Sequence, residues 1–158
     1  MTTPDTFRVE RSIHIDAPPA DIAPLIVDFR RWTAWSPWEK LDSVMQRSYG
    51  GAERGVGAVY EWTGKKAGAG RMEVQDVRPE HIAIQLDFIK PMRASNRALF
   101  ELTPTGAGTR VTWAMEGKET LLTKLMHAVL NMDKLVGKDF EKGLADLKAQ
   151  AERAPVTV

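Results

Sequence analysis

The sequence predicts an α+β domain: a largely antiparallel sheet of about seven strands, then one long C-terminal helix whose apolar stripe can be buried only against that sheet. Two observations predict it. Roughly the first hundred residues carry runs of alternating apolar and polar side chains, joined by short turns rich in glycine and proline. From Leu121 to about Ala151 the alternation gives way to one amphipathic segment, in which Leu122, Leu125, Val129, Met132, Val136, Phe140 and Leu147 fall on a single helical stripe. One helix does not cover a wide, twisted sheet completely, so the arrangement leaves room for a hollow of the kind that holds small molecules.

The elements follow in order. Phe7, Val9, Ile13 and Ile15 alternate with Arg8, Glu10, Ser12, His14 and Asp16 as a strand with one wet face; Arg11 stands on its apolar side. Asp16-Ala-Pro-Pro19 stops the strand, the prolines suit a helix start, and Ile22, Leu25, Ile26 and Phe29 give a short amphipathic helix. Trp32, Trp35 and Trp38 follow at three-residue spacing, helix-like until Pro37 and a loop thereafter. Strands are then expected over Leu41–Tyr49, ended by Gly50-Gly51; around Ala58, Tyr60 and Trp62; and around Met72, Val74 and Val77. Further strands are expected around Ile82, Ile84, Leu86 and Phe88; around Ala98, Phe100 and Leu102; and around Val111, Trp113 and Met115. Connections this short imply an antiparallel meander, and nothing divides residues 1–158 into more than one domain, with a core over about 7–151.

Composition narrows the function classes. The formal net charge is +1 and the longest basic run is Lys65-Lys66, so neither nucleic acid nor an anionic membrane is advertised as a partner. Cysteine is absent, which removes disulfides, thiol nucleophiles and thiolate metal sites, and suits a cytoplasmic location. The N-terminus has no secretory pattern, and no apolar stretch reaches membrane-spanning length, so no integral membrane segment is expected. His14, His81 and His127 have no metal-ligand spacing, so no metal and no cofactor are expected. No serine sits in a nucleophile-elbow context. The glycine-rich loop Gly64–Gly70 joins strand to strand and lacks the ending of a phosphate-binding loop, so it reads as a hairpin turn.

The order of elements resembles the START-like superfamily, and within it the polyketide cyclase/dehydrase-like (SRPBCC) branch. The residues that carry the resemblance are Ile15-Asp-Ala-Pro-Pro19, Trp32-x-x-Trp35-x-Pro37-Trp38, Tyr60-x-Trp62-x-Gly64 with Gly70-Arg-Met72, and the terminal segment Met132-Asp-Lys-Leu-Val-Gly-Lys-Asp-Phe-Glu-Lys-Gly-Leu144-Ala-x-Leu147-Lys148. It implies a helix-grip (START/Bet v 1-like) fold, a curved antiparallel sheet wrapped around the terminal helix with an apolar cavity between them. Relatives of this fold include lipid carriers, hormone receptors, aromatic cyclases and chaperone activators, so the fold alone does not select a function.

On that fold the candidate ligand-binding residues are Trp38, Tyr60, Trp62, Met72, Phe88, Phe100, Trp113, Met115, Val129, Met132, Asp133, Val136 and Phe140. The alternative is that they pack on one another to native density. Trp38 is the member of its trio placed for a cavity mouth, while Trp32 and Trp35 pack the short helices. Gly143 lies at the centre of the helix stripe, where it permits a close approach of the sheet or leaves space. Asp133 flanks the stripe and is the candidate catalytic residue; it can orient a ligand or act as a general base, or else turn to solvent or pair with a cation such as Arg11. Three functions fit: binding of a small hydrophobic or aromatic molecule, including a lipid; a metal-free cyclase, aromatase or dehydratase in the same cavity; and a protein-interaction module akin to chaperone activators or toxin–antitoxin START-like proteins, with an apolar patch around the first helices. A monomer or a homodimer fits each.

Overall fold

A computed structural model of the chain describes residues 6–39, 44–66, 68–90, 93–118 and 132–153; within these the side chains of residues 118, 132, 133, 135 and 153 are not described. Strand β1 (Thr6–Ile15) is followed by helix α1 (Pro19–Val27) and a 3-10 helix (Phe29–Ala34). Then come β2 (Gln46–Gly51), β3 (Ala58–Thr63), β4 (Ala69–Arg78), β5 (His81–Lys90), β6 (Ala94–Thr105), β7 (Gly108–Lys118) and the terminal helix α2 (Met132–Arg153). The seven strands form one antiparallel sheet in the order β1-β7-β6-β5-β4-β3-β2, so β2 to β7 are a meander and β1 closes against the last strand. The sheet is curved, and two register shifts along β4, between Ala69 and Gly70 and between Val74 and Asp76, supply local bends.

The predicted fold class, the two short helices and the meander are all present. The second strand differs from expectation. It runs over Gln46–Gly51, not Leu41–Tyr49, and residues 40–43 lie outside the described part. Gly50 and Gly51 pair with Val59 and Ala58, so the glycines belong to the ladder rather than ending it. The expected helix from Leu121 is described only from Met132; Leu122, Leu125, His127 and Val129 lie outside the described residues.

Helix α1 ends without a glycine cap, and the tryptophans replace it. Its last carbonyls would otherwise be orphaned. Trp35 Nε1 donates to Leu25 O at 2.8 Å, Trp32 Nε1 to Ile26 O at 2.7 Å, and the Gly55 amide to Val27 O at 3.0 Å. The three-residue spacing of Trp32 and Trp35 thus ties the 3-10 helix back onto α1 and holds both rings over the sheet.

Helix α2 packs chiefly along β1 and also meets β7, α1 and the 3-10 helix. Phe140, Leu144, Leu147 and Ala151 are its buried stripe. Its C-terminal end is clasped to the end of β1: Lys148 Nζ donates to His14 O at 3.0 Å, and Glu152 accepts from the Asp16 amide at 2.7 Å while pairing with Lys148. Arg11 faces the inner side of β1, as its place in the alternation implies. Its guanidinium lies against Gly137 of α2 and pairs with Glu141 at 3.0 Å. The outer face of the sheet carries a small buried apolar cluster, Ala83, Leu99 and Ala114, and is otherwise laced by Arg8–Glu116, Arg71–Glu73 and His81–Glu101, exposed or half-exposed pairs worth at most about 1 kcal/mol each.

Candidate functional site

Cross-strand register divides the inner face of the sheet into rows, and burial changes along them. At the end nearest α1, Ile15, Val111 and Leu102 are wholly buried. One step on, Phe100 of β6 and Trp113 of β7 are register partners under the terminal helix. Trp113 stacks on Phe140 at 4.1 Å between centroids and on Phe100 at 5.2 Å, with Trp32, Trp35 and Trp38 set edge-on around it. Phe100, Trp113 and Phe140 therefore pack on one another as core. Gly143 allows this closeness: a β-carbon there would lie 2.8 Å from Trp113 Cζ3 and 2.9 Å from Pro37 Cδ. Of its two predicted roles, the glycine serves close approach.

Toward the opposite end the face is less covered. Met115 and Met72 are buried, whereas Phe7, Trp62, Leu86, Phe88 and Val136 are half-buried. Trp62 pairs in register with Gly70, and Gly70 with Phe88. A β-carbon at Gly70 would collide with the Trp62 ring, so the glycine lets the indole lie flat over the strand and meet Phe88 edge-on at 6.0 Å. Trp38, half-buried, covers the side of the core stack at 5.5 Å from Trp113 and 6.0 Å from Phe140.

The structure thus brings Tyr60, Trp62, Met72, Phe88 and Met115 onto one end of the inner face, with Val136 of α2 packed against the same core. It sets Phe100, Trp113 and Phe140 into the packed interior, with the half-buried Trp38 covering their side. Val129 lies outside the described residues. Met132 and Asp133 open α2, and their side chains are not described.

Two polar features of this end are absent from the sequence-based expectations. The first is a trio in which Arg47 caps the buried pair Glu39 and Tyr60. Glu39, only 7% exposed, accepts from the Tyr60 hydroxyl at 2.8 Å and from Arg47 Nε at 2.6 Å, while Arg47 Nη2 reaches Glu39 O at 2.6 Å. Tyr49 stacks on Tyr60 at 5.4 Å, with the Arg30 guanidinium over its other face at 4.7 Å. The second is Asn96, a buried amide on β6 at the inward parity of Ala98 and Phe100. Among the described residues no group of three or more metal-ligating side chains gathers, and no helix is long and apolar enough to cross a membrane.

Burial, then the hydrogen bond to Glu39, raises the pKa of Tyr60, and burial followed by the Glu39 charge raises that of Tyr49. These are the chain's two tyrosines. In each case the folded state holds the proton more tightly, so the associated stability is complete below the unfolded tyrosine value of about 10 and is lost as pH climbs beyond it. The Tyr60 share of the phenolate absorbance at 295 nm is therefore expected to stay flat as the folded protein is taken through pH about 10, and to rise only together with loss of the far-ultraviolet circular dichroism. Glu39→Gln is expected to bring part of that rise to lower pH. Ionisation of both tyrosines at the ordinary pH in an intact fold would contradict this reading of the trio.

A curved antiparallel sheet with a terminal helix on its inner face is the helix-grip class of protein. The chain belongs to the family described as polyketide cyclase / dehydrase and lipid transport, whose profile matches residues 6–152. No curated protein matches it. Among solved structures it is similar to a Thermobifida fusca protein, at 19% identity and TM-score 0.67 over 94% of this chain and 95% of that one. It is also similar to the Aha1 dimer of Colwellia psychrerythraea, at 16% identity and TM-score 0.62 over 94% and 98% of the two chains. A third is DynU16, a protein of the dynemicin biosynthetic locus, at 15% identity and TM-score 0.63 over 92% of this chain and 47% of that one. At such identities the likeness is one of fold.

Proposed function

We propose that this chain binds a small hydrophobic or aromatic molecule between the inner face of its sheet and the terminal helix, at the end marked by Trp62 and Phe88. The observation that carries the reading is the gradient of burial along one apolar face: aliphatic side chains are sealed at the α1 end, and the rings of Phe7, Trp62 and Phe88 are only half-buried at the other. Half-buried rings on a concave surface gain by covering, at roughly 25 cal/mol per Å² of apolar area removed from water. Met72 and Met115 suit such a wall, since unbranched thioether side chains adapt to the shape beside them. The interaction-module alternative calls for an exposed apolar patch on the first helices. The exposed large hydrophobics among the described residues are Val44, Val56, Val77 and Ile89, none of them on α1 or the 3-10 helix.

The test is a fluorescence titration with the neutral fluorophore N-phenyl-1-naphthylamine. Saturable binding at one site per chain is expected, weakened about tenfold by Trp62→Ala or Phe88→Ala, as befits loss of one ring contact of about 1–1.5 kcal/mol. Both variants should keep wild-type circular dichroism, because both rings are only half-buried. No saturable binding by the wild type, or equal affinity in both variants, would refute the assignment.

A further inference from the structure

The connections from β3 to β4 and from β5 to β6 stand side by side at the less covered end of the sheet, because Ala69, which opens β4, pairs with Lys90, which closes β5. Lys65 and Lys66 lie in the first connection, Lys90 and Arg93 flank the second, and all four are exposed. No acidic residue occurs from Trp62 to Met72 or from Phe88 to Phe100. The acids next to these stretches are engaged: Arg71 pairs with Glu61 at 3.9 Å, and Gln85 Nε2 donates to Asp87 at 2.8 Å. The two hairpins are two strand spacings apart, about 10 Å. That is about one Debye length at 0.1 M salt, so an approaching anionic surface meets their charges together. The opposite end of the sheet lacks this bias. There Glu53, Arg54, Asp76, Arg78 and Glu80 mix both signs, and Arg78 pairs with Asp76 at 3.0 Å.

Exposed apolar side chains lie beside the cations. Ile89, 40% exposed, precedes Lys90. Val44, 56% exposed, lies two residues before β2, whose first residue Gln46 pairs with Thr63 at the end of β3. Cations and apolar side chains mixed on one rim suit the surface of an anionic bilayer, where the cations reach headgroups and the apolar chains the acyl boundary. Single-stranded nucleic acid would call for rings on which bases stack, and the exposed apolar side chains here are aliphatic. No stretch of sequence shows this surface, because the fold gathers it from separate hairpins.

We infer that the tips of the β3–β4 and β5–β6 hairpins form a docking surface for an anionic lipid bilayer, with Lys65, Lys66, Lys90 and Arg93 at the headgroups and Ile89 at the acyl boundary. No ligand in the hollow is needed for this docking, which is therefore independent of the binding function proposed above. Co-sedimentation with vesicles tests it. The chain is expected to bind phosphatidylcholine vesicles containing one quarter phosphatidylglycerol, at least tenfold more tightly than pure phosphatidylcholine, and to be released by about 0.5 M salt. Lys65→Gln with Lys90→Gln is expected to weaken that binding about 20-fold, at about fivefold for each cation removed. Ile89→Ser is expected to weaken it severalfold. Arg54→Gln with Arg78→Gln, which removes the same charge at the opposite end, is expected to leave it unchanged. All these positions are exposed, so each variant is expected to keep wild-type circular dichroism. No binding to the anionic vesicles, or equal losses in the two double variants, would overturn the docking surface. A DNA duplex bound as tightly as the anionic vesicles would overturn the bilayer as its occupant.

Discussion

Trp113→Ala is expected to lower the free energy of unfolding by about 3–5 kcal/mol, the usual range for deleting a large buried ring. Trp113 is 2% exposed and touches five other rings, Phe100, Phe140, Trp32, Trp35 and Trp38. It links the sheet, the terminal helix and the segment that follows α1. Its loss opens a cavity that none of these elements fills alone, because Trp32 and Trp35 are fixed to α1 through their indole N–H groups. For a chain of this size the loss corresponds to a fall in Tm on the order of 10 °C. Urea denaturation followed by circular dichroism measures it. A loss below about 1 kcal/mol would mean that the rings are not the packed centre described here.

The second large effect is at Gly143. In an exposed helix, replacing glycine by a side chain gains up to about 1 kcal/mol of helix propensity. Here a β-carbon meets ring atoms of Trp113 and Pro37, neither able to swing away. Overpacking of this kind costs about 1–3 kcal/mol, so it outweighs the gain in propensity. Gly143→Val, a larger and stiffer side chain, is expected to cost about 3 kcal/mol. Gly137, two turns earlier on α2, is the internal control. A β-carbon there meets only the end of the Arg11 side chain, which is flexible and can move aside. Gly137→Ala is therefore expected to be neutral or stabilising, by up to about 1 kcal/mol, and Gly143→Ala destabilising. The same sign at both positions in urea melts would contradict the packing assigned to the helix.

What the sequence discloses here is local, and what it conceals is relational. Alternation in β1 and β5, the Pro18-Pro19 helix start and the apolar stripe through Phe140 and Leu147 are properties of neighbouring residues, and each reappears in the structure. Alternation also says correctly that Trp62, Phe88, Phe100 and Trp113 face one way. It does not say how deep each lies, because depth depends on which cross-strand row a residue joins and where the helix crosses. Phe100 and Trp113 lie beneath Phe140, while Trp62 and Phe88 are paired through Gly70 at the less covered end. Gly143 could be flagged, but its role required knowing that Trp113 and Pro37 converge on it.

The trio Glu39–Arg47–Tyr60 is joined across separations of 8 and 21 residues, and Glu39 sits in a stretch without periodicity, so no local signal marks it. Asn96 did leave a signal. The strand begins at Ala94, and carrying its alternation back from Ala98 places an asparagine on the apolar side. Reading the strand only from Ala98 hides it.

The most direct test of the binding function uses the methionines of the proposed wall. With methyl-labelled Met, assigned through Met72→Leu and Met115→Leu, the protein is titrated with 2-naphthol and followed by NMR. The Met72 and Met115 methyl signals are expected to shift along one saturable curve, while the indole N–H signals of Trp32 and Trp35, held in the packed core, stay in place. Unmoved Met72 and Met115 signals at the solubility limit of the probe would contradict a ligand site on this face of the sheet.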